Sequence, residues 1–144
     1  MIKSMYKCKY FKIKELVHPD LLKQIKESIL WMMFDDRLLK CADLIREKYG
    51  PITVNAGALI DCGLRDTNSK TGAKYSAHKL ARALDLHICT IDKKGLSQDK
   101  KTKEYNKVRQ ELLKDEKFNC LSFENNITWL HIDTYNRENR LFNP

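Results

Sequence analysis

No apolar run in this chain approaches the roughly 18 residues that a membrane-crossing helix needs. The basic opening segment MIKSMYKCKYFKIKEL (1–16) has neither the apolar stretch nor the small-residue cleavage site of a signal peptide. Synthesis in the cytoplasm with no membrane segment is therefore expected, and action at a cell wall would need a separate route of release. No two cysteines have CxxC spacing, and Cys8, Cys41, Cys62, Cys89 and Cys120 make an odd number. A paired disulfide framework and a four-cysteine zinc site are both disfavoured, and reduced thiols, mostly buried, are expected. Repeats and low-complexity tracts are lacking too, so residues 1–144 read as a single domain. The net charge of +8 comes without a tight arginine cluster or an aromatic-interleaved basic motif. Such a surface suits an anionic partner, but no specific nucleic-acid groove is expected.

What is present is a core of ordinary size, with 42% apolar residues, enough for one domain without staples. His18-Pro19-Asp20 opens a helix with Pro19 near its first position. Leu22, Ile25, Ile29 and Met32 follow at helical steps and predict one apolar stripe. Asp35 or Asp36 caps a second helix that buries Leu38, Ala42 and Ile45 and ends at Tyr49-Gly50-Pro51. A third starts near Ser97 and carries Tyr105, Val108 and Leu112 on one side. ITVN (52–55) is a short β-rich run. Residues 56–77 read as a long irregular loop, a kind of segment that often carries function. Helices precede most of the strands, which implies an α+β fold with an antiparallel sheet.

Two segments alternate. In ALDLHIC (83–89), Leu84, Leu86 and Ile88 share one face, and Ala83, Asp85, His87 and Cys89 share the other. In WLHIDTY (129–135), Leu130, Ile132 and Thr134 oppose Trp129, His131, Asp133 and Tyr135. If the two strands are neighbours with their apolar faces together, Asp85 and His131 enter one cleft, and His78, on the turn just before, can close over them. Two imidazoles and a carboxylate are a common catalytic Zn²⁺ donor set, with a fourth position left for water. Spacing alone does not separate such a set from histidines that merely bond on a polar strand face.

The residues also carry a resemblance. SAHKLARALD (76–85) resembles the SxHxxGxAxD motif of the D-alanyl-D-alanine carboxypeptidase family of zinc peptidases, which includes D-alanyl-D-alanine dipeptidases and phage L-alanyl-D-glutamate endolysins. WLHID (129–133) is similar to that family's WxH strand. Leu121 and Glu124 stand where phage-type members keep a Leu and a Glu, and ITVNAG…GLR (52–65) is similar to the strand and Arg-bearing loop before the first motif. The likeness runs from about Ile52 to Tyr135. It implies a hedgehog/DD-peptidase-like fold with an antiparallel sheet, flanking helices and a helical N-terminal part. It implies zinc held by His78, Asp85 and His131, with Arg65 and Ser76 near a substrate carboxylate. The implied activity is hydrolysis of peptidoglycan stem-peptide bonds by a phage- or prophage-type enzyme. Residue by residue, an Arg at 65 suits bidentate capture of a carboxylate. It could equally order its own loop by pairing with Asp61 or Asp66, and Ser76 could simply bond the backbone of its turn.

Two departures stand out. The motif glycine is Ala81. Thr128 occupies the position, three before the last histidine, where many members place an acidic residue. Two carboxylates could act as the catalytic base instead: Glu124, from an adjoining strand, or Asp133, about 7 Å along the strand from His131. Asp133 could alternatively orient a histidine ligand. His87 is read as an ordinary polar-face histidine, and Trp129 as a cleft wall or core residue. Loss of the base would leave a catalytically impaired metal-binding virion or wall-binding domain.

Overall fold

The computed structural model describes residues 5–143; the first four residues of the basic segment 1–16, like Pro144, lie outside the described residues. The alternation at 83–89 forms β2 (Ala83–Ile88), and that at 129–135 forms β4 (Leu130–Asp133). The two pair antiparallel, with Leu84 opposite Ile132 and Asp85 opposite His131. Leu84, Leu86, Ile88, Leu130 and Ile132 are wholly buried in the core, so the apolar faces lie together as the period-two pattern requires. Strand β1 (Ile52–Thr53) joins the outer edge of β2, and β3 (Ser122–Glu124) joins β4 on its other side, both antiparallel. A short β5 (Leu141–Phe142), not foreseen from the sequence, adds to β3 in parallel, so the sheet runs β1-β2-β4-β3-β5 and is mostly antiparallel.

Among the described residues, five α-helices precede the long helix of residues 98–114. Helices α1 (Ile13–Leu16), α2 (Pro19–Gln24), α3 (Glu27–Met33) and α4 (Asp36–Tyr49) form the N-terminal part, and α5 (Cys89–Asp92) follows β2 directly. The expected strand residue Cys89 thus opens a helix instead. Helix α6 (Gln98–Lys114) buries Tyr105, Val108 and Leu112, as its spacing predicted. Asp35 caps α4 by accepting from the Arg37 amide, and the helix buries Leu38, Ala42 and Ile45 before ending at Gly50, whose φ is +82°. Among the described residues, no helix is long and apolar enough to cross a membrane.

The single stripe through Leu22, Ile25, Ile29 and Met32 does not form. The backbone is extended at Ile25 and Lys26, which splits the expected helix into α2 and α3. The restart turns Leu30 and Trp31 inward and leaves Ile29 48% and Met32 70% exposed. The apolar positions on either side of the break satisfy two different faces, which a continuous 3.6-residue count cannot represent.

Candidate metal centre

The three residues expected to gather do so: one ligand atom each from His78, Asp85 and His131 lies within 4.8 Å of the others, and all three side chains are buried. Asp85 and His131 are brought together by strand register alone. His131 Nδ1 is 2.8 Å from Asp85 Oδ1. His78 arrives from a 3-10 turn (Ala77–Leu80) whose first amides are capped by the Ser76 hydroxyl, which accepts from the His78 amide. Its Nε2 lies 3.3 Å from the same Asp85 Oδ1. The turn closes at Ala81, at φ +55° and ψ +35°, a left-handed conformation that favours glycine. The motif alanine therefore sits in strained backbone that a glycine would relieve.

Each imidazole is also pinned from behind. His78 Nδ1 is 3.0 Å from the Gly63 carbonyl, to which it donates, leaving Nε2 as the lone-pair nitrogen facing Asp85. His131 Nε2 is 2.9 Å from Asp133 Oδ2, so its Nδ1 is the nitrogen turned to the cluster. An acceptor on the far nitrogen and a carboxylate beside the near one is the arrangement that orients histidine ligands in metal sites. The donor set therefore fits a divalent ion such as zinc. Burial works against charge on His131, but the Asp133 and Asp85 carboxylates outweigh it and raise the imidazole's pKa above the ordinary value. Burial likewise opposes ionisation of Asp85, and its bonds to His131 and His78 more than offset that, so it stays ionised.

The backbone behind the site is close-fitted. Gly63 lies against the chain at Leu16, and a Cβ there would come 1.9 Å from the Leu16 carbonyl oxygen. The neighbouring Leu64 amide donates to that same oxygen, and the His18 amide donates to the Leu64 carbonyl. The loop that supplies His78 with its acceptor is in this way stitched to the N-terminal helices.

A cleft of about 460 Å³ opens over the cluster, bordered by Arg65, Ser76, Glu124, Trp129 and Arg137 as well as the three donors. Arg65 is tied down by its own loop. Its Nε donates to the Asp61 carbonyl at 2.7 Å, and Nη2 lies 3.6 Å from Asp85 Oδ2. Ser76 plays its turn-capping part while also lining the cleft. Glu124 reaches the same cleft from the end of β3. Asp133 is elsewhere: wholly buried, it lies behind His131 and is bonded by the Tyr135 amide and by Arg137 Nε. Of the two carboxylates considered for proton transfer, one faces the cleft and the other orients an imidazole. Thr128 precedes β4 and does not border the cleft.

His87 keeps to a second, smaller cavity of about 250 Å³ beyond Trp129. There it pairs with Asp92 at 3.5 Å and contacts Cys62, and it takes no place among the three donors. Trp129 borders both cavities, as do Arg65 and Asp85, and its carbonyl accepts from the buried Arg109 of α6. Arg137 is the site residue that the sequence reading missed. Its guanidinium stacks 3.9 Å from the Phe142 ring centroid while Nε holds Asp133. A cation four positions beyond a strand carboxylate is the only linear trace of that pairing, and outside a helix such spacing carries no geometric meaning.

No family model, curated protein or solved structure matches the chain.

Proposed function

We propose that this chain is a zinc-dependent peptidase of the D-alanyl-D-alanine carboxypeptidase and L-alanyl-D-glutamate endolysin type, with the hedgehog/DD-peptidase-like fold, acting on peptidoglycan stem peptides. The observation that carries the reading is the pair of imidazoles, each held from behind by an acceptor and each presenting its other nitrogen to one carboxylate. Zinc held by His78, Asp85 and His131 would supply a Lewis acid that polarises a carbonyl and makes water nucleophilic near neutral pH. Glu124, on the rim of the cleft, accepts a proton from the attacking water at its carboxylate and returns it to the leaving amine. Arg65 and Arg137 offer guanidinium groups to substrate carboxylates. Asp133 and the Gly63 carbonyl keep the imidazole rings from turning. The +8 charge suits an anionic wall polymer.

One observation favours a second reading. Thr128 stands where the resemblance would place the acidic residue, which suits a metal-binding virion or wall-binding domain that has lost its base. Incubation of zinc-loaded protein with purified peptidoglycan separates the two. The peptidase reading expects new free amino groups, their loss with a chelator, and recovery on adding zinc. Release that continues in chelator would overturn it. Stoichiometric zinc without hydrolysis would leave the binding domain. Glu124→Gln is expected to retain zinc and lose about 10²–10⁴-fold in hydrolysis.

A further inference from the structure

Cys41, on the buried side of α4, and Cys120, just ahead of β3, place their sulfur atoms 3.7 Å apart although 79 positions separate them in sequence. The other three thiols contact different partners: Cys8 the Leu39 carbonyl, Cys62 the His87 ring and Cys89 the Thr53 hydroxyl. We propose that Cys41 and Cys120 are a disulfide site that closes when the protein meets a small-molecule disulfide, clamping the helical layer to the root of the strand that carries Glu124.

The surroundings favour a single pairing. Arg140 holds the chain on both sides of Cys120, with Nη2 donating to the Phe118 carbonyl and Nε to the Leu121 carbonyl, each at 2.8 Å. Cys41 is held by α4 and lies 3.9 Å from the Lys117 carbonyl. A bonded S–S distance is about 2.05 Å, so closure brings the two sulfurs together from their present 3.7 Å. Exposure sets the order of events. Cys120 is half-buried and Cys41 is 4% exposed, with burial and the neighbouring sulfur pushing the Cys41 thiol's pKa up. Cys120, as thiolate, attacks the small disulfide first; that S–S bond breaks, a mixed disulfide forms and one small thiol leaves. Cys41 then gives up its proton and attacks the Cys120 sulfur, expelling the second small thiol. The protein loses two electrons and two protons, and the oxidant is reduced to two thiols.

The inference goes beyond the peptidase reading and does not depend on it, because neither sulfur borders the metal cleft. It bears on where the protein works: the thiols stay reduced in the cytosol, and the bond forms beyond it. Closing so long a loop restricts the unfolded chain most, so a rise in the thermal midpoint of roughly 5–10 °C is expected.

The test is incubation of the native full chain with oxidised glutathione, followed by alkylation, peptide mapping and thermal unfolding. The expected result is loss of two of the five thiols, one intramolecular Cys41–Cys120 link and the higher midpoint. Cys41→Ser should instead retain a glutathione adduct on Cys120 with no rise. Cys120→Ser, which alters the more exposed partner and spares the core, should show neither link nor rise. A link between other cysteines, a persistent Cys120 adduct in the unaltered protein, no reaction at all, or a link without added stability would each overturn the proposal.

Discussion

The two halves of the candidate metal centre are held by different kinds of structure. Asp85 and His131 stand opposite each other on paired strands, so the ladder that builds the sheet also sets their separation. His78, Ser76 and Arg65 come from the irregular stretch around residues 56–80, where no ladder exists. There the chain is held by single bonds: Leu64 and His18 to one another's segments, Lys79 Nζ to the Ser69 carbonyl, Arg65 Nε to the Asp61 carbonyl and the Tyr135 hydroxyl to the Tyr75 carbonyl. A strand pair tolerates the loss of one contact because its neighbours maintain register. A loop built from single anchors depends on each of them. Damage on the strand side should therefore act through chemistry and charge, and damage on the loop side through geometry.

The largest effect is expected from His131→Ala. Removal of the ring leaves Asp133, which has no exposed surface, and Asp85 without their shared partner. Stability should fall by about 3–5 kcal/mol, and stoichiometric zinc binding should be lost. Chemical denaturation and elemental analysis measure the two, and a variant that kept both full stability and zinc would break the strand half of the contrast. Next is Gly63→Ala. The added methyl would meet the Leu16 carbonyl at 1.9 Å, so the loop must shift and take with it the acceptor for His78. A loss of about 2–3 kcal/mol is expected, with weaker zinc affinity by competition titration but unchanged ligand identity. Unaltered affinity would mean that His78 does not rely on that carbonyl.

A smaller effect concerns the junction of the two regions. Asp35 caps α4, pairs with Arg37 and Arg82, and its amide donates to the Ala81 carbonyl. Burial disfavours its charge, but the bonds from the Arg37 amide and guanidinium prevail and hold its carboxyl down at about 2. A pKa lower in the folded than in the unfolded state stabilises the fold above the unfolded value of about 3.9, and that contribution fades as pH falls towards 2. Asp35→Asn should cost about 1–2 kcal/mol at neutral pH and progressively less between pH 4 and pH 2. Parallel denaturation curves across that range would show the two proteins converging; a constant gap would contradict the assignment. The smallest effect is expected at Ala81→Gly. Relief of a left-handed residue, offset by the greater freedom of glycine when unfolded, should raise stability by at most about 1 kcal/mol. A clear loss would mean that the Ala81 methyl's packing matters more than its backbone.

Legibility from the sequence follows the same division. The β2 and β4 alternation put Asp85 and His131 on one face of the paired strands because a period of two survives translation into space without further information. The starts of two helices, at Asp35 or Asp36 and near Ser97, were readable for a similar reason: a cap, here Asp35 and Ser97, acts within one turn of its own position. The α2–α3 break was not, since Ile25 and Lys26 are poor punctuation and the apolar count runs on past them. Nor was the division of labour between Glu124 and Asp133. Both are carboxylates near the same histidine, and only the fold turns one to the cleft and the other to the back of the ring. Arg137 and β5 were invisible because each depends on a partner from another segment, Asp133 and β3 respectively.

The chain by itself therefore determined the strand faces and where the principal helices begin, because those are decided by local periodicity and residue type. Tertiary structure alone decided which nitrogen each imidazole presents, which carboxylate meets the cleft and which two sulfurs touch. Those choices depend on contacts between segments far apart in sequence, and no local rule contains the distance between them.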